Sequence, residues 1–260
     1  MDIQYLDSHC HVNDETLLPR ADEVIKAAFD AGVKTLLFIG WDLPSSRLAV
    51  ELAQRHEGCY AAVGFHPENL DGISPEALAQ IKALAQSPKV IAIGEIGLDY
   101  HWFKEPEHRQ KQKEWFIKQI DLANELNLPV SIHSRDASFD TLSLLAAHPA
   151  KAKGVLHCYS GSVETMKELL KLGYYFGFDG PITFKNAKEP KACVAEIPLD
   201  RLLCETDSPY LAPTPFRGSV NEPKNVPLIV EAMAEIKGIP LRDIAAAIQR
   251  NFENLFRVKL

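Results

Sequence analysis

Eight short apolar segments alternate with helical patterns along the whole chain, and this alternation restricts the possible folds more than any other feature. Most of the segments are rich in β-branched or other apolar residues. They occupy residues 3–9, 33–40, 60–65, 90–97, 128–133, 154–159, 174–178 and 201–207. Nearly continuous apolar runs of this length are typical of parallel strands that are covered on both faces.

Helical patterns fill several of the gaps between these segments. Residues 74–86 begin with Ser74 at the N-cap and Pro75 at the first helical position, which is a start signal with a physical basis. The other predicted helices cover residues 19–32, 106–127, 162–173, 226–237 and 241–256.

Repeated strand–helix alternation with right-handed crossovers predicts a (β/α)8 TIM barrel, formed as a single domain by residues 1–260. The alternative is an open, doubly wound sheet. That alternative has less support, because no GxGxxG or GxxxxGK[ST] motif follows any of the segments.

Charge and cysteine content limit the possible partners and compartments. The chain carries 28 Lys and Arg residues against 35 Asp and Glu residues, a net charge of −7, which is unfavourable for holding long duplex DNA by phosphate neutralisation. Five cysteines without a CxxC motif, together with no basic signal-peptide region, predict a cytoplasmic protein. No apolar run approaches the ~18 residues of a membrane span, so we expect no membrane partner.

Ionisable side chains lie at the ends of five of the eight segments. In a barrel the carboxyl ends of all strands open onto one face, so these residues are predicted to converge there. Alternate residues of a strand face the same side, which places His9 and His11 together and Cys10 on the other side. The six residues are His9, His11, Glu95, His133, His157 and Asp207.

Four imidazoles and two carboxylates form a donor set that suits divalent ions such as Zn²⁺, Mn²⁺ or Mg²⁺. Six donors exceed one tetrahedral site, which predicts two ions about 3.5–4 Å apart with Glu95 as the bridging carboxylate. The two ions would outweigh the two carboxylates, so the site would be locally positive. A positive site suits an anionic substrate such as a phosphodiester.

Two further residues are candidates for contact with the substrate. His66, in VGFHP, is predicted to contact a phosphate, or else to be a turn residue before Pro67. Arg135 either binds a phosphate or pairs with Asp136 or another acid. Cys158 lies next to His157, and its side chain is expected to pack away from the site, between sheet and helices, as for Cys10.

Seven short motifs occur along the chain in the order DSHCH, VGFHP, GEIGLDY, PVSIHSRDA, HCYSG, GPITFKNA and ETDSPYLAP, and RGSVNEPKNV follows them. In sequence and order they resemble the motifs of the TatD-type metal-dependent hydrolases, which include deoxyribonucleases. The resemblance covers nearly the whole chain and implies an amidohydrolase-like TIM barrel with two divalent ions. It implies one ion held by His9, His11, Glu95 and Asp207, and the other by Glu95, His133 and His157.

The sequence therefore predicts a metal-dependent hydrolase that cleaves phosphodiester bonds of DNA, and the resemblance implies a 3′→5′ exonuclease acting on single-stranded ends. The predicted catalytic residues are Asp207, Glu95 and His66, and the predicted substrate contacts are His66 and Arg135. The ions would lower the pKa of a bound water to about 7, and Asp207 would accept its proton. Two alternatives stay open: a barrel hydrolase acting on a small amide, lactone or phosphoester, and a metal-binding scaffold without catalysis.

Overall fold

A computed structural model describes residues 3–260, and its centre is a parallel sheet in which each strand pairs with the next along the chain. Residues 1 and 2 of the predicted domain lie outside the described residues. The strands are β1 (Tyr5–Cys10), β2 (Val33–Ile39), β3 (Cys59–Val63), β4 (Val90–Asp99), β5 (Val130–Arg135), β6 (Gly154–Leu156), β7 (Tyr175–Phe178) and β8 (Leu202–Cys204). All eight predicted segments therefore contain a strand.

Backbone hydrogen bonds just beyond the strand ends join the last strand to the first. The amide of His11 donates to the carbonyl of Ser208 at 2.8 Å, and the amide of Asp207 donates to the carbonyl of His9 at 3.0 Å. These bonds bring the two outer strands together, which confirms the barrel and rules out the open doubly wound sheet.

Helices connect the strands and cover the outside of the barrel. They are α1 (Ala21–Asp30), α2 (Leu43–Arg55), α3 (Pro75–Leu84), α4 (Pro106–Leu126), α5 (Ser138–Ala147), α6 (Val163–Lys171), α7 (Lys188–Glu196), α8 (Val226–Lys237) and α9 (Leu241–Phe256). The sequence analysis did not identify α2, α5 and α7. Neither α5 nor α7 has a side-chain N-cap, although Asp42 and Ser45 do form a capping box at the start of α2.

The helices bury one face each against the sheet, as α9 illustrates. Ile244, Ile248 and Phe252 recur every four residues and are fully or almost fully buried. Burying an apolar side chain of this size stabilises the fold by about 1.5–3 kcal/mol. The Asn251 side chain donates to the carbonyls of Leu199 and Leu202, both at 2.8 Å, and so fixes α9 to the start of β8.

The nine helices of residues 3–260 include none that is long and apolar enough to cross a membrane.

Candidate metal centre

The carboxyl end of the barrel gathers all six side chains that the sequence predicts as metal ligands. His9, Glu95 and His133 lie within strands, on β1, β4 and β5. The other three follow the ends of strands: His11 is the first residue after β1, His157 is the first residue after β6, and Asp207 lies three residues beyond β8. All six side chains are mostly buried, the most exposed being that of His133 at 17%.

One group of donor atoms forms where β1 meets the loop after β8. The Nε2 atoms of His9 and His11 are 3.2 Å apart. Asp207 Oδ1 lies 3.6 Å from the first of these nitrogens and 3.3 Å from the second. Glu95 Oε2 lies 3.5 Å and 3.8 Å from the same two atoms.

A second group of donors surrounds the other carboxylate oxygen of Glu95. Oε1 of Glu95 lies 2.9 Å from Nδ1 of His133 and 2.7 Å from Nε2 of His157. These two nitrogens are 3.2 Å apart. Nε2 of His66 also approaches Oε1 of Glu95, at 3.4 Å.

The spacing of the atoms in the first group fits the coordination of a divalent cation. Ligand atoms about 2.0–2.2 Å from a tetrahedral ion stand about 3.4 Å from one another. Distances of 3.2 to 3.8 Å within the first group agree with that value. Imidazole nitrogens and carboxylate oxygens converge here, so a single cation could bind all of these atoms at once.

The charges of the cluster depend strongly on one another. Burial would raise the pKa of the Glu95 carboxyl, but the neighbouring His157, His66 and His133 lower it well below its usual range. Burial would lower the pKa of His157, but Glu95, Glu205 and Asp207 raise it well above the usual value. The carboxylate is therefore ready to bind a cation at neutral pH, and a cation would take the place of the imidazole protons.

Asp99, at the end of β4, supports His133 and was not identified from the sequence. Its Oδ2 lies 3.0 Å from Nε2 of His133, and its Oδ1 accepts hydrogen bonds from the amides of His101 at 2.9 Å and Trp102 at 3.1 Å. A carboxylate that accepts one ring N–H leaves the other nitrogen free to bind a metal. The signal was present, because residues 95, 97 and 99 face the same side of one strand.

Glu205 lies behind His157, beyond hydrogen-bond distance of its ring, and was also missed. Its Oε1 accepts from the amide of Cys158 at 2.5 Å and lies 3.6 Å from Nδ1 of His157, and its Oε2 accepts from the hydroxyl of Ser8 at 3.2 Å. Gly177 leaves the space for this carboxylate, because a Cβ there would lie 2.1 Å from Oε2. Glu205 precedes Asp207 by two residues in the CETD motif.

His66 and Arg135 both line the cavity that opens above the cluster, which has a volume of about 580 Å³. Nδ1 of His66 accepts from the amide of Glu68 at 3.2 Å, so Nε2 carries the ring proton toward Glu95. Arg135 forms no ion pair with any residue between 3 and 260, and Asp136 pairs with His101 instead, at 3.1 Å. The structure therefore does not contain the ion pair that was the alternative role for Arg135.

The prediction for Cys158 is wrong, whereas Cys10 is fully buried as expected. β6 ends at Leu156, before His157 and Cys158, so the alternation of side chains along a strand no longer applies there. Cys158 has a φ of 45°, and its thiol lies within 4.8 Å of carboxylate oxygens of Asp179 and Asp207. The thiol thus borders the cluster instead of packing against a helix.

Comparison with known proteins relates the whole chain to one family of enzymes. The family described as TatD related DNase matches residues 6–257. An uncharacterised metal-dependent hydrolase of Bacillus subtilis, YabD, is 45% identical over 253 residues, which cover 97% of this chain and 98% of that protein. The 3′-5′ ssDNA/RNA exonuclease TatD of Klebsiella pneumoniae is 37% identical over 244 residues, which cover 91% of this chain and 92% of that protein. The crystal structure of YjjV, a TatD homologue from Escherichia coli K12, superimposes with a TM-score of 0.94 at 30% identity and full coverage of both chains.

Proposed function

The chain belongs to the TatD related DNase family of metal-dependent hydrolases, and from this premise we propose that it cleaves phosphodiester bonds of DNA as a 3′→5′ exonuclease on single-stranded ends. The description of the family and the exonuclease relative from Klebsiella pneumoniae support the choice of a nucleic acid as substrate. The proposal includes two divalent ions held at the carboxyl end of the barrel.

The placement of Glu95 is the observation that carries the proposal. Its Oε2 faces the Nε2 atoms of His9 and His11 at 3.5 and 3.8 Å, and its Oε1 faces His133 and His157 at 2.9 and 2.7 Å. A carboxylate with each oxygen directed at a separate pair of imidazoles suits the bridging role between two cations. In this proposal His9, His11 and Asp207 complete one ion site with Glu95, and His133 and His157 complete the other.

Divalent ions held by these residues would supply an activated water and would neutralise negative charge on the phosphate. Asp207 has the more exposed of the two carboxylates, at 14% against 5% for Glu95, and accepts the proton of the attacking water. His66 and Arg135, both in the cavity wall, bind the non-bridging phosphate oxygens. The planar guanidinium of Arg135 can donate two parallel hydrogen bonds to a phosphate.

A digestion time course on 5′-labelled, single-stranded oligonucleotides tests this proposal. We expect a ladder of products shortened from the 3′ end with Mn²⁺ or Mg²⁺, and no products with EDTA until metal is restored. Glu95→Ala should lose at least about 1000-fold in activity together with its bound metal, because no other described carboxylate faces both pairs of imidazoles. Glu51→Ala, on the exposed surface of α2, is the matched control and should match the wild-type protein. Full activity in metal-free protein would refute the proposal.

A hydrolase of small molecules is the second candidate, and the size of the cavity favours it. A volume of about 580 Å³ lies in the range of sites that bind small ligands, about 300–1,000 Å³. The net charge of −7 also favours a small substrate over a long polyanion. A panel of lactones, amides and phosphomonoesters, assayed beside the oligonucleotides with the same metals, separates the two candidates by their kcat/KM values.

A further inference from the structure

Trp102 presents a large aromatic surface at the rim of the cavity. Its side chain is 63% exposed, although tryptophan is usually largely buried in folded proteins. The ring lines the same cavity as Glu95, His133 and Arg135. An exposed tryptophan beside a group of ionisable side chains indicates a binding surface for an aromatic part of a ligand.

The loop that carries Trp102 is fastened to the candidate metal centre. The backbone amide of Trp102 donates to Oδ1 of Asp99 at 3.1 Å, and the other oxygen of the same carboxylate contacts His133. The buried side chain of Gln112 holds the backbone of Asp99 through two hydrogen bonds, at 2.9 and 3.0 Å. The backbone of residue 102 is therefore held close to the predicted ligands.

The indole of Trp102 lies next to a cationic side chain, Arg135, and a second aromatic ring, that of His101. The guanidinium carbon of Arg135 lies 5.5 Å from the centroid of the Trp102 ring. The His101 ring contacts Trp102 edge-on, with centroids 4.6 Å apart, and is itself held by Asp136. Arg135 and Asp99 are register partners on neighbouring strands, so the cation and the indole belong to one assembly.

The other two aromatic side chains of the cavity wall are less suited to stacking with a ligand. Trp41 is half-buried and packs edge-on against the His11 ring, with centroids 5.3 Å apart. The hydroxyl of Tyr210 donates to Asp14 at 3.3 Å, and its ring lies 6.4 Å from that of His11. Trp102 is the most exposed of the three rings and the one that a cation approaches.

We propose that Trp102 is a stacking platform for a nucleobase of a single-stranded substrate, placed so that Arg135 can bind the adjacent phosphate. This inference rests on the proposed function and names the part of the substrate that the rim recognises. Stacking on an aromatic side chain tolerates every base, because each base has a π-face. A base that is paired and stacked in a duplex is not free to make this contact, so the platform favours unpaired ends.

Kinetics on two matched oligonucleotides test the platform. One substrate is oligodeoxythymidylate, and the other carries tetrahydrofuran abasic units in its last two positions; both are assayed with Mn²⁺. Trp102→Ala should raise KM for the first substrate by about 5- to 150-fold and leave kcat within about twofold, because stacking binds ground state and transition state alike. The abasic substrate should lose nothing by this change. Trp102→Phe keeps an aromatic face and should recover most of the affinity.

Phe139→Ala provides the matched control, because Phe139 is an exposed aromatic residue, at 80%, that does not line the cavity. It should leave KM unchanged on both substrates. An unchanged KM in Trp102→Ala, or an equal increase on the abasic substrate, would overturn the platform.

Binding measured without turnover separates this inference from the proposed function. Oligodeoxythymidylate in the presence of EDTA should quench tryptophan fluorescence in the wild-type protein and in Phe139→Ala, and quench it far less in Trp102→Phe. If the wild-type protein hydrolyses neither oligonucleotide, the proposed function fails, and the fluorescence measurement alone tests the platform. Quenching in Trp102→Phe equal to that in the wild-type protein would then reject the platform, and loss of the quenching in this variant would support it.

Discussion

Replacing Asp99 by asparagine tests whether this buried carboxylate prepares His133 for metal binding. Oδ2 of Asp99 accepts the Nε2–H proton of His133 at 3.0 Å, which leaves the lone pair of Nδ1 directed at Glu95 and the predicted ion. In Asp99→Asn the amide oxygen can still accept from the amides of His101 and Trp102. The new amide N–H, however, donates to Nε2 and moves the ring proton to Nδ1, where it blocks coordination.

The size of this effect follows from the hydrogen bond that is lost. A buried, charge-assisted hydrogen bond contributes about 1.5–3 kcal/mol, and replacing a partner of a metal-bound histidine costs about 10- to 100-fold in metal affinity. The two values agree, since each factor of ten corresponds to about 1.4 kcal/mol. We therefore expect the weaker of two metal-binding steps to lose about 10- to 100-fold in affinity.

Titration of metal-free protein with Zn²⁺ against a chromophoric chelator measures this affinity. Asp136→Asn is the matched control, because it removes the same charge from the neighbouring loop but contacts His101 instead of His133. Urea unfolding of both variants shows whether the fold is intact. Wild-type affinity in a folded Asp99→Asn protein would show that the tautomer reasoning is wrong.

Two further predictions concern the framework of the site. Gly97→Ala should lower the free energy of unfolding, measured by urea titration, by about 2–5 kcal/mol, because φ at this position is 145° and a Cβ would lie 2.0 Å from the carbonyl oxygen of His133. Gly218→Ala is the control: its φ is 88° but the space around it is open, so the loss should be no more than about 1–2 kcal/mol. Equal losses in the two variants would contradict the steric argument. The side-chain nitrogens of Arg20 and Lys224 lie 2.5 and 2.6 Å from the carboxylate oxygens of Glu222. These ion pairs lower the pKa of Glu222 below its usual value, although burial alone would raise it. The stabilisation that Glu222 provides is therefore present above pH ~4.5 and is lost as the pH falls through the lowered pKa. Glu222→Gln should therefore be less stable than the wild-type protein by about 1 kcal/mol at pH 7, and this difference should stay constant down to pH ~4.5 and shrink at lower pH. A difference that does not change below pH ~4.5 would contradict this reasoning.

The sequence was sufficient to predict the barrel, because eight apolar segments separated by helical patterns leave few topologies. The convergence of the six predicted ligands followed from two general rules, namely that strand ends share one face and that alternate residues point the same way. Both rules hold for His9 and Glu95, which lie inside strands. The roles of these residues as ligands stay a prediction that the experiments above test.

The features that were missed depend on where strands stop and how they pair. Predicting β6 as far as residue 159 led to the wrong orientation for Cys158, since the strand ends at Leu156. The contact of Asp99 with His133 depends on the register between β4 and β5, which shifts between Ile93 and Ile96. Alternation along β4 places Asp99 on the same side as Glu95, but local sequence does not encode the register shift that brings Asp99 next to His133. The contact between the two side chains could therefore not be predicted from β4 alone.

The hydrogen bonds that join residues 9 and 11 to residues 207 and 208 have a consequence for biosynthesis. His9 and His11 leave the ribosome before Asp207, which follows them by about 200 residues. The nascent chain cannot assemble the first group of donor atoms until β8 has docked beside β1. Binding of a cation by this group would therefore coincide with closure of the barrel. Chains truncated before Asp207 would lack both the hydrogen bonds that join β1 to the segment after β8 and the carboxylate that helps to bind the cation.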